Sequence, residues 1–232
     1  MTKMQNWIYR SAGLLLLSLL SACATSYSAK SINAHVVDAE SRQPMEGVVV
    51  VVHWIVKFGL EGGGGTDMKL METVTDGDGN FFFPAWGPES IPSGLPLEAR
   101  LKGQDPEIIL YKKGYFPVGL SNDRPTSGQA GSGPSVRTSD WGGKTIPMKK
   151  FIGERRVYGA MLDSMLTGVN YGGCNFNKIP RLLSAVISEQ AELRRQRVHY
   201  SFFTLEGIQS LTNGHCGSVE QSLSEYLKNE EQ

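Results

Sequence analysis

Val48 to Val52, followed by Trp54, Ile55 and Val56, form an almost continuous apolar run. Its β-branched content favours a strand, and its lack of alternation favours a strand buried on much of both faces. Further strands are expected over residues 31–38, 70–75, 81–83, 98–101, 107–112, 115–118 and 144–149. Residues 42–47 read as a turn. Asp76-Gly77-Asp78-Gly79-Asn80 is dense turn chemistry, which predicts a hairpin joining residues 70–75 to Phe81, Phe82 and Phe83. The four glycines from Gly62 to Gly65 predict a loop over residues 61–67. Residues 84–96 read as irregular, and residues 121–143, rich in Gly, Ser and Pro, as a long loop.

After Phe151 the period changes. Ile179, Leu182, Leu183, Val186, Ile187 and Leu193 fall on one helical face, with Asn177 as the expected cap and Pro180 in the first turn. Residues 204–211 predict a shorter helix ended by Asn213-Gly214. Ser218 to Gln221 reads as a capping box that opens a last helix, with Val219, Leu223, Tyr226 and Leu227 on its buried face. Strands first and helices later predict a mainly β chain, a β-sandwich over residues 31–150 with a C-terminal α-helical appendage over residues 151–232, α+β overall. Helices this short and amphipathic need a surface to cover. An apolar content of 40% at zero net charge excludes disorder as the main state. Lys+Arg and Asp+Glu are both 23, so no global field recruits nucleic acid.

The N-terminus reads as an address. Lys3 and Arg10 precede an apolar stretch over residues 13–20 that is too short to span a bilayer as a helix, and the arrangement fits a secretory signal. Leu20-Ser21-Ala22-Cys23 resembles the lipobox of bacterial lipoproteins. That resemblance implies a diacylglyceryl thioether on Cys23, cleavage before it, and a membrane as partner; the alternative is an ordinary signal peptide with an incidental Cys. Residues 1–22 are then signal peptide and residues 23–30 a tether. Ala24, where lipoproteins kept at the inner membrane carry Asp, implies the outer membrane, with the chain facing the periplasm. With Cys23 assigned to lipid, Cys174 and Cys216 form an even pair in an exported chain and are expected to make a disulfide. A metal site would need further Cys or His ligands at short spacing, and Cys174 has no neighbouring His.

One ordered set of residues resembles a known family. Ile32, Ala34, Val36 and Asp38 precede Pro44-Met45-Glu46-Gly47-Val48, then come Thr75-Asp76, Gly79-Asn80-Phe81, Tyr111 and Gly114-Tyr115. This is similar to the carboxypeptidase regulatory-like domain, a transthyretin-like β-sandwich, across residues 31–150. The family implies a folded spacer or interaction module and no reaction of its own. The loops at Gly62–Gly65 and residues 121–143 read as insertions into that pattern.

Motifs that carry chemistry are incomplete. Gly142-Gly143-Lys144-Thr145 ends like a phosphate-binding loop, but it leaves a loop and enters a strand, and Thr138 stands where the motif needs Gly. Asp76, Asp78 and Asn80 imitate the opening of a calcium loop, yet Phe81 and Gly87 occupy the positions of its required Gly and Glu. His35, His53, His199 and His215 are scattered, and His53 reads as a solvent-facing or hydrogen-bonded strand residue. No nucleophile elbow is present, and the carboxylates carry no mark of an acid–base pair. Trp54, Trp86 and Trp141, with Tyr115 and Phe116, suit either core filling or a sugar-stacking surface; Trp86 and Trp141 are the candidate ligand-contacting aromatics. The expectation is a lipid-anchored envelope lipoprotein without cofactor or metal. It would act as a non-catalytic interaction or structural module for an envelope protein or glycan. A glycan-binding module is the first alternative and an envelope hydrolase the second.

Overall fold

The computed structural model describes residues 26–59, 63–123, 135–169, 172, 174–198, 205–212 and 216–229. Cys23, the signal segment and the glycine at position 62 lie outside them. Among the described residues the strands are β1 (Ser26–Ala29), β2 (Ile32–Asp38), β3 (Val49–Phe58), β4 (Gly64–Val74), β5 (Asn80–Phe83), β6 (Trp86–Ser90), β7 (Arg100–Leu101), β8 (Glu107–Tyr111), β9 (Val118–Leu120), β10 (Ser135–Arg137) and β11 (Thr145–Met148). The helices are α1 (Arg155–Thr167), α2 (Pro180–Arg195), α3 (Leu205–Ser210) and α4 (Val219–Asn229), with a 3-10 turn at Asn175–Lys178. The strands make three sheets, ordered β10-β1-β6, β11-β2-β5 and β4-β3-β8-β9, with β7 also paired to β3. The fold is α+β, with a mostly β N-terminal region and helices at the C-terminus.

β3 is buried on both faces because it separates two cores. Val50, Val52, Trp54 and Val56 point into the first, with Ile108 and Leu110 of β8 and the apolar residues of the two three-stranded sheets. Val49 and Val51 point into the second, with Leu70, Ile109 and Tyr111, against Leu162, Leu166, Leu182, Leu183 and Val186 of the helices. The helical residues are therefore a layer laid on the outer face of one sheet. Glu72 of β4 accepts hydrogen bonds from the N–H groups of Arg181 (3.0 Å) and Leu182 (2.8 Å), capping α2 from the sheet. Burial pushes that carboxyl up to about 7, against those two bonds.

Several expectations are corrected. Residues 26–29, expected in the tether, form β1, because Tyr27 and Ala29 are core residues. The turn at residues 76–80 does not close a hairpin: β4 pairs with β3, whereas β5 pairs with β2, so the turn carries the chain from one sheet to another. Gly64 and Gly65, expected in a loop, already belong to β4, opposite Phe58 and Lys57. Residues 84–96 contain β6, and the loop over residues 121–143 contains β10. In place of a strand over residues 115–118, Tyr115 makes a single bridge to Lys150 and β9 starts at Val118. Asn177 lies in the 3-10 turn and does not cap α2. α1 was not expected at all.

Cys174 and Cys216 are joined by a disulfide, with their Cα atoms 5.3 Å apart. It ties the segment entering α2 to the segment entering α4, whose start is capped by Ser218 Oγ accepting from the Gln221 N–H. A sequence separation of 42 corresponds to a stabilisation of about 4 kcal/mol on the chain-entropy account. Replacing both cysteines by Ser should lower the free energy of unfolding by an amount of that order, seen as a lower urea midpoint, with the helical signal lost before the sheet signal.

Candidate functional site

A charged cluster in the interior grows from one irregularity in the pairing of β3 with β4. Along the hairpin, Trp54 is opposite Lys69 but Ile55 is opposite Asp67, so Met68 is an extra residue in β4. Such a bulge reverses which face later residues occupy. Leu70 faces the helices, Met68 faces the first core, and Asp67 is thereby brought beside His53. Glu107 is opposite His53 on the other neighbour, β8.

His53 is 1% exposed. Its Nδ1 is 2.9 Å from Asp67 Oδ1, and its Nε2 is 3.3 Å from Glu107 Oε2. Burial works against a charged ring, yet the hydrogen bonds and charges of Asp67 and Glu107 outweigh it and push the pKa up to about 9. That shift favours the charged ring at neutral pH, with Nδ1 hydrogen-bonded to Asp67 and Nε2 at ion-pair distance from Glu107 but outside hydrogen-bond geometry. Glu107 is held down to about 2, first by His53 and then by Lys102, with which it forms an ion pair, against the cost of its own burial. Asp67 Oδ2 also accepts from Asn175 Nδ2 at 3.3 Å, which links the cluster to the 3-10 turn beside the disulfide.

Asp105 lies on the other side of Ile55, whose N–H it accepts at 2.9 Å through Oδ2. Burial pushes its carboxyl up to about 7, against that bond and the nearby charge of Arg137. Arg137, itself shifted down by burial, donates to Leu101 O at 3.4 Å and covers the Tyr27 ring at 5.5 Å. Asn122 closes this corner by donating to the carbonyls of Asp105 and Thr138, both at 2.8 Å.

Two hollows border the cluster. One, of about 470 Å³, is open and runs between the sheet side chains of His53, Lys57, Thr66 and Asp67 and the end of α1 at Thr167 and Gly168. The other, of about 330 Å³, is walled by Ile109, Val118, Met161 and Met165, with Glu107 at its edge. His53 and Asp67 thus line a shared cleft. In the protonated ring neither nitrogen can accept a proton, and among the described residues no hydroxyl is hydrogen-bonded to it. Among the described residues no group of three or more His, Cys, Asp or Glu side chains is arranged to hold a metal ion.

The residues singled out in the sequence fall elsewhere. Trp86 is 7% exposed and packs edge-on against Trp54, centroids 5.2 Å apart. It is a core residue with no open face for a sugar. Trp141 is half-buried at the rim of the first core, donates its indole N–H to Ser121 O at 3.0 Å, and has Lys144 Nζ over its ring at 5.2 Å. The two tryptophans form no shared platform. Asp76 Oδ1 accepts from the N–H groups of Asp78 and Asn80 at 3.0 and 2.8 Å, so its oxygen serves the turn. Gly143, at positive φ, leads into β11 without opening a helix. His53 is the hydrogen-bonded strand residue of the two forms expected. Its partners were not legible, because the bulge that aligns Asp67 leaves no mark on the hydrophobic pattern.

No family model matches the chain, and no curated protein matches it. Among solved structures, a 3-chlorocatechol 1,2-dioxygenase from Rhodococcus opacus is 13% identical over 56% of this chain and 62% of its own, with a TM-score of 0.28. A 9R-lipoxygenase from Cyanothece is 15% identical over 78% of this chain and 26% of its own, with a TM-score of 0.26. Likeness at that level bears on neither fold nor chemistry.

His53 has a folded-state pKa above the ordinary 6.5, so its contribution is complete below pH 6.5 and is lost as pH rises through about 9. Glu72 and Asp105, also raised, lose theirs earlier, between the ordinary carboxylate range and about 7. Between pH 7 and 9 the fall in unfolding free energy should therefore belong to His53, on the order of 2–3 kcal/mol. In His53→Gln that fall should be absent, measured as the urea midpoint against pH.

Proposed function

We propose that this chain is a lipid-anchored lipoprotein of the cell envelope, held by acylated Cys23 at the outer membrane and facing the periplasm. Its β region is a transthyretin-like sandwich of the carboxypeptidase regulatory-like type, working as a non-catalytic interaction or structural module. The observation that carries the non-catalytic part is the burial of His53 between two carboxylates, Asp67 hydrogen-bonded to Nδ1 and Glu107 3.3 Å from Nε2, which together favour the protonated ring. A general base needs a nitrogen free to take a proton. The envelope hydrolase reading has in its favour that His53 and Asp67 line an open cleft, but their bonding supplies no base. The glycan reading needed two exposed tryptophans; one is in the core and the other has its N–H and one ring face occupied.

The motif residues behind the family resemblance also serve architecture. Thr75 Oγ1 donates to Met45 O at 2.6 Å and accepts from the Val48 N–H at 2.9 Å, joining two of the motif's pieces. Gly79 has positive φ, and a Cβ there would stand 2.5 Å from Val36 O. Tyr115 donates to Asp38 Oδ2 at 2.9 Å. Asp38 is held down to about 2, chiefly by the Ser41 N–H and then by Tyr115. The disulfide fits an oxidising, extracytoplasmic compartment, and no helix among the described residues is long and apolar enough to cross a membrane.

Mass spectrometry of protein extracted from envelopes should find the chain beginning at Cys23 and carrying a diacylglyceryl thioether; an unmodified Cys23 overturns the anchor. Turnover of any envelope ester, amide or glycoside that disappears in His53→Gln overturns the non-catalytic assignment.

A further inference from the structure

The chain enters the fold beside an apolar loop. β1 opens at Ser26, which stands opposite Ser90, the last residue of β6. The chain leaving Ser90 reads Ile91-Pro92-Ser93-Gly94-Leu95-Pro96-Leu97, without a charge. Ile91 and Leu95 are half-buried against the first core and fix the loop to the body. The Ala99 N–H donates to Pro96 O at 2.9 Å and closes its end. Pro92, Pro96 and Leu97 are exposed, and Leu97 is fully so at 105%, the most exposed large apolar side chain among the described residues. Two cations stand close by in the pairing, since Arg100, three residues after Leu97, is opposite Lys57. Among the described residues that flank the loop, the acids are Glu89, paired with Lys69 at 2.7 Å, and Glu98.

We propose that loop 91–97 is a second membrane contact, with Leu97 and its flanking prolines seated at the boundary between headgroups and acyl chains and with Lys57 and Arg100 facing lipid phosphates. The proposal rests on the anchoring of Cys23. Cys23 precedes Ser26 by three residues, and three residues of chain reach ~10 Å at most. An acyl group on Cys23 therefore brings the bilayer to the same end of the same sheet as the loop. An uncharged apolar tip backed by Lys and Arg is the composition that suits a lipid interface. A single covalent tether leaves the body free to swivel. A second contact fixes its orientation and turns the opposite end, at Asp38 and Tyr115, away from the membrane.

The test compares two single-cysteine labels on the full chain in phosphatidylethanolamine–phosphatidylglycerol vesicles. Leu97→Cys places bimane on the loop. Ile152→Cys places it on a comparably apolar and exposed residue, 82% exposed, which follows the Tyr115–Lys150 bridge at the other end. Both side chains are outside the cores, so both variants keep them intact. Nitroxide lipid should reduce emission from position 97 at least twofold and leave position 152 unchanged. Equal quenching at both positions, or none at either, overturns the docking. Mass spectrometry reports separately on Cys23. Should that residue prove unmodified, the same two labels are read on Cys23→Ser protein held to nickel-chelating lipid by an N-terminal histidine tag, so the loop is judged whichever way the anchor falls.

Discussion

The structure depends on β3 being covered on both sides. A strand whose successive residues are nearly all apolar has no face to offer water, so the chain must supply a layer for each. The two three-stranded sheets supply one and the helices the other. The alternation of Val49 and Val51 with Val50 and Val52 assigns each side chain to its core. The helical residues are bound to that sheet by the same hydrophobic effect that builds the β region. Glu72 adds a directional contact by satisfying two N–H groups at the start of α2, which has no cap of its own.

The charged cluster sits where that layered scheme is weakest. Past Trp54 the bulge shifts the register, and the helical cover gives way to the open cleft at the end of α1. The side chains of His53 and Asp67 are fully buried there, those of Glu107 and Lys102 only partly removed from water, and the four compensate one another. Burying such an array confers less stability than apolar packing of equal volume, because desolvation offsets much of the attraction. What it adds is direction. Asp67 takes hydrogen bonds from both His53 and Asn175, so the cluster fixes the 3-10 turn, and with it the disulfide, to one place on the sheet.

What was legible in the sequence follows from how local each signal is. β3, the strand at Ile32–Asp38, α2, the capped start of α4 and the disulfide rest on runs, periods or counts contained within short segments. The failures were non-local. The turn at residues 76–80 has the composition of a hairpin, and only the competition for partners shows that β5 joins β2 while β4 stays with β3. β1, β6 and β10 are short and exist because they pair with one another; alone, none would hold a strand. α1 does carry a signal, since Tyr158, Leu162 and Leu166 recur at helical spacing and are buried, but three positions are a weaker pattern than the six of α2. The bulge at Met68 was beyond reach, and with it the contact between His53 and Asp67.

The same locality separates address from chemistry in this chain. A lipobox is read by a processing enzyme as a linear segment, so under the proposed reading Leu20-Ser21-Ala22-Cys23, which resembles one, needs no fold to be recognised. A working acid–base pair exists only once distant residues are placed. Here the placing brings the buried histidine between two carboxylates, and its raised pKa follows from them. A ring whose pKa is pushed up to about 9 titrates above the range in which unperturbed histidines do. Its charge is then a fixed part of the body, set by Asp67 and Glu107.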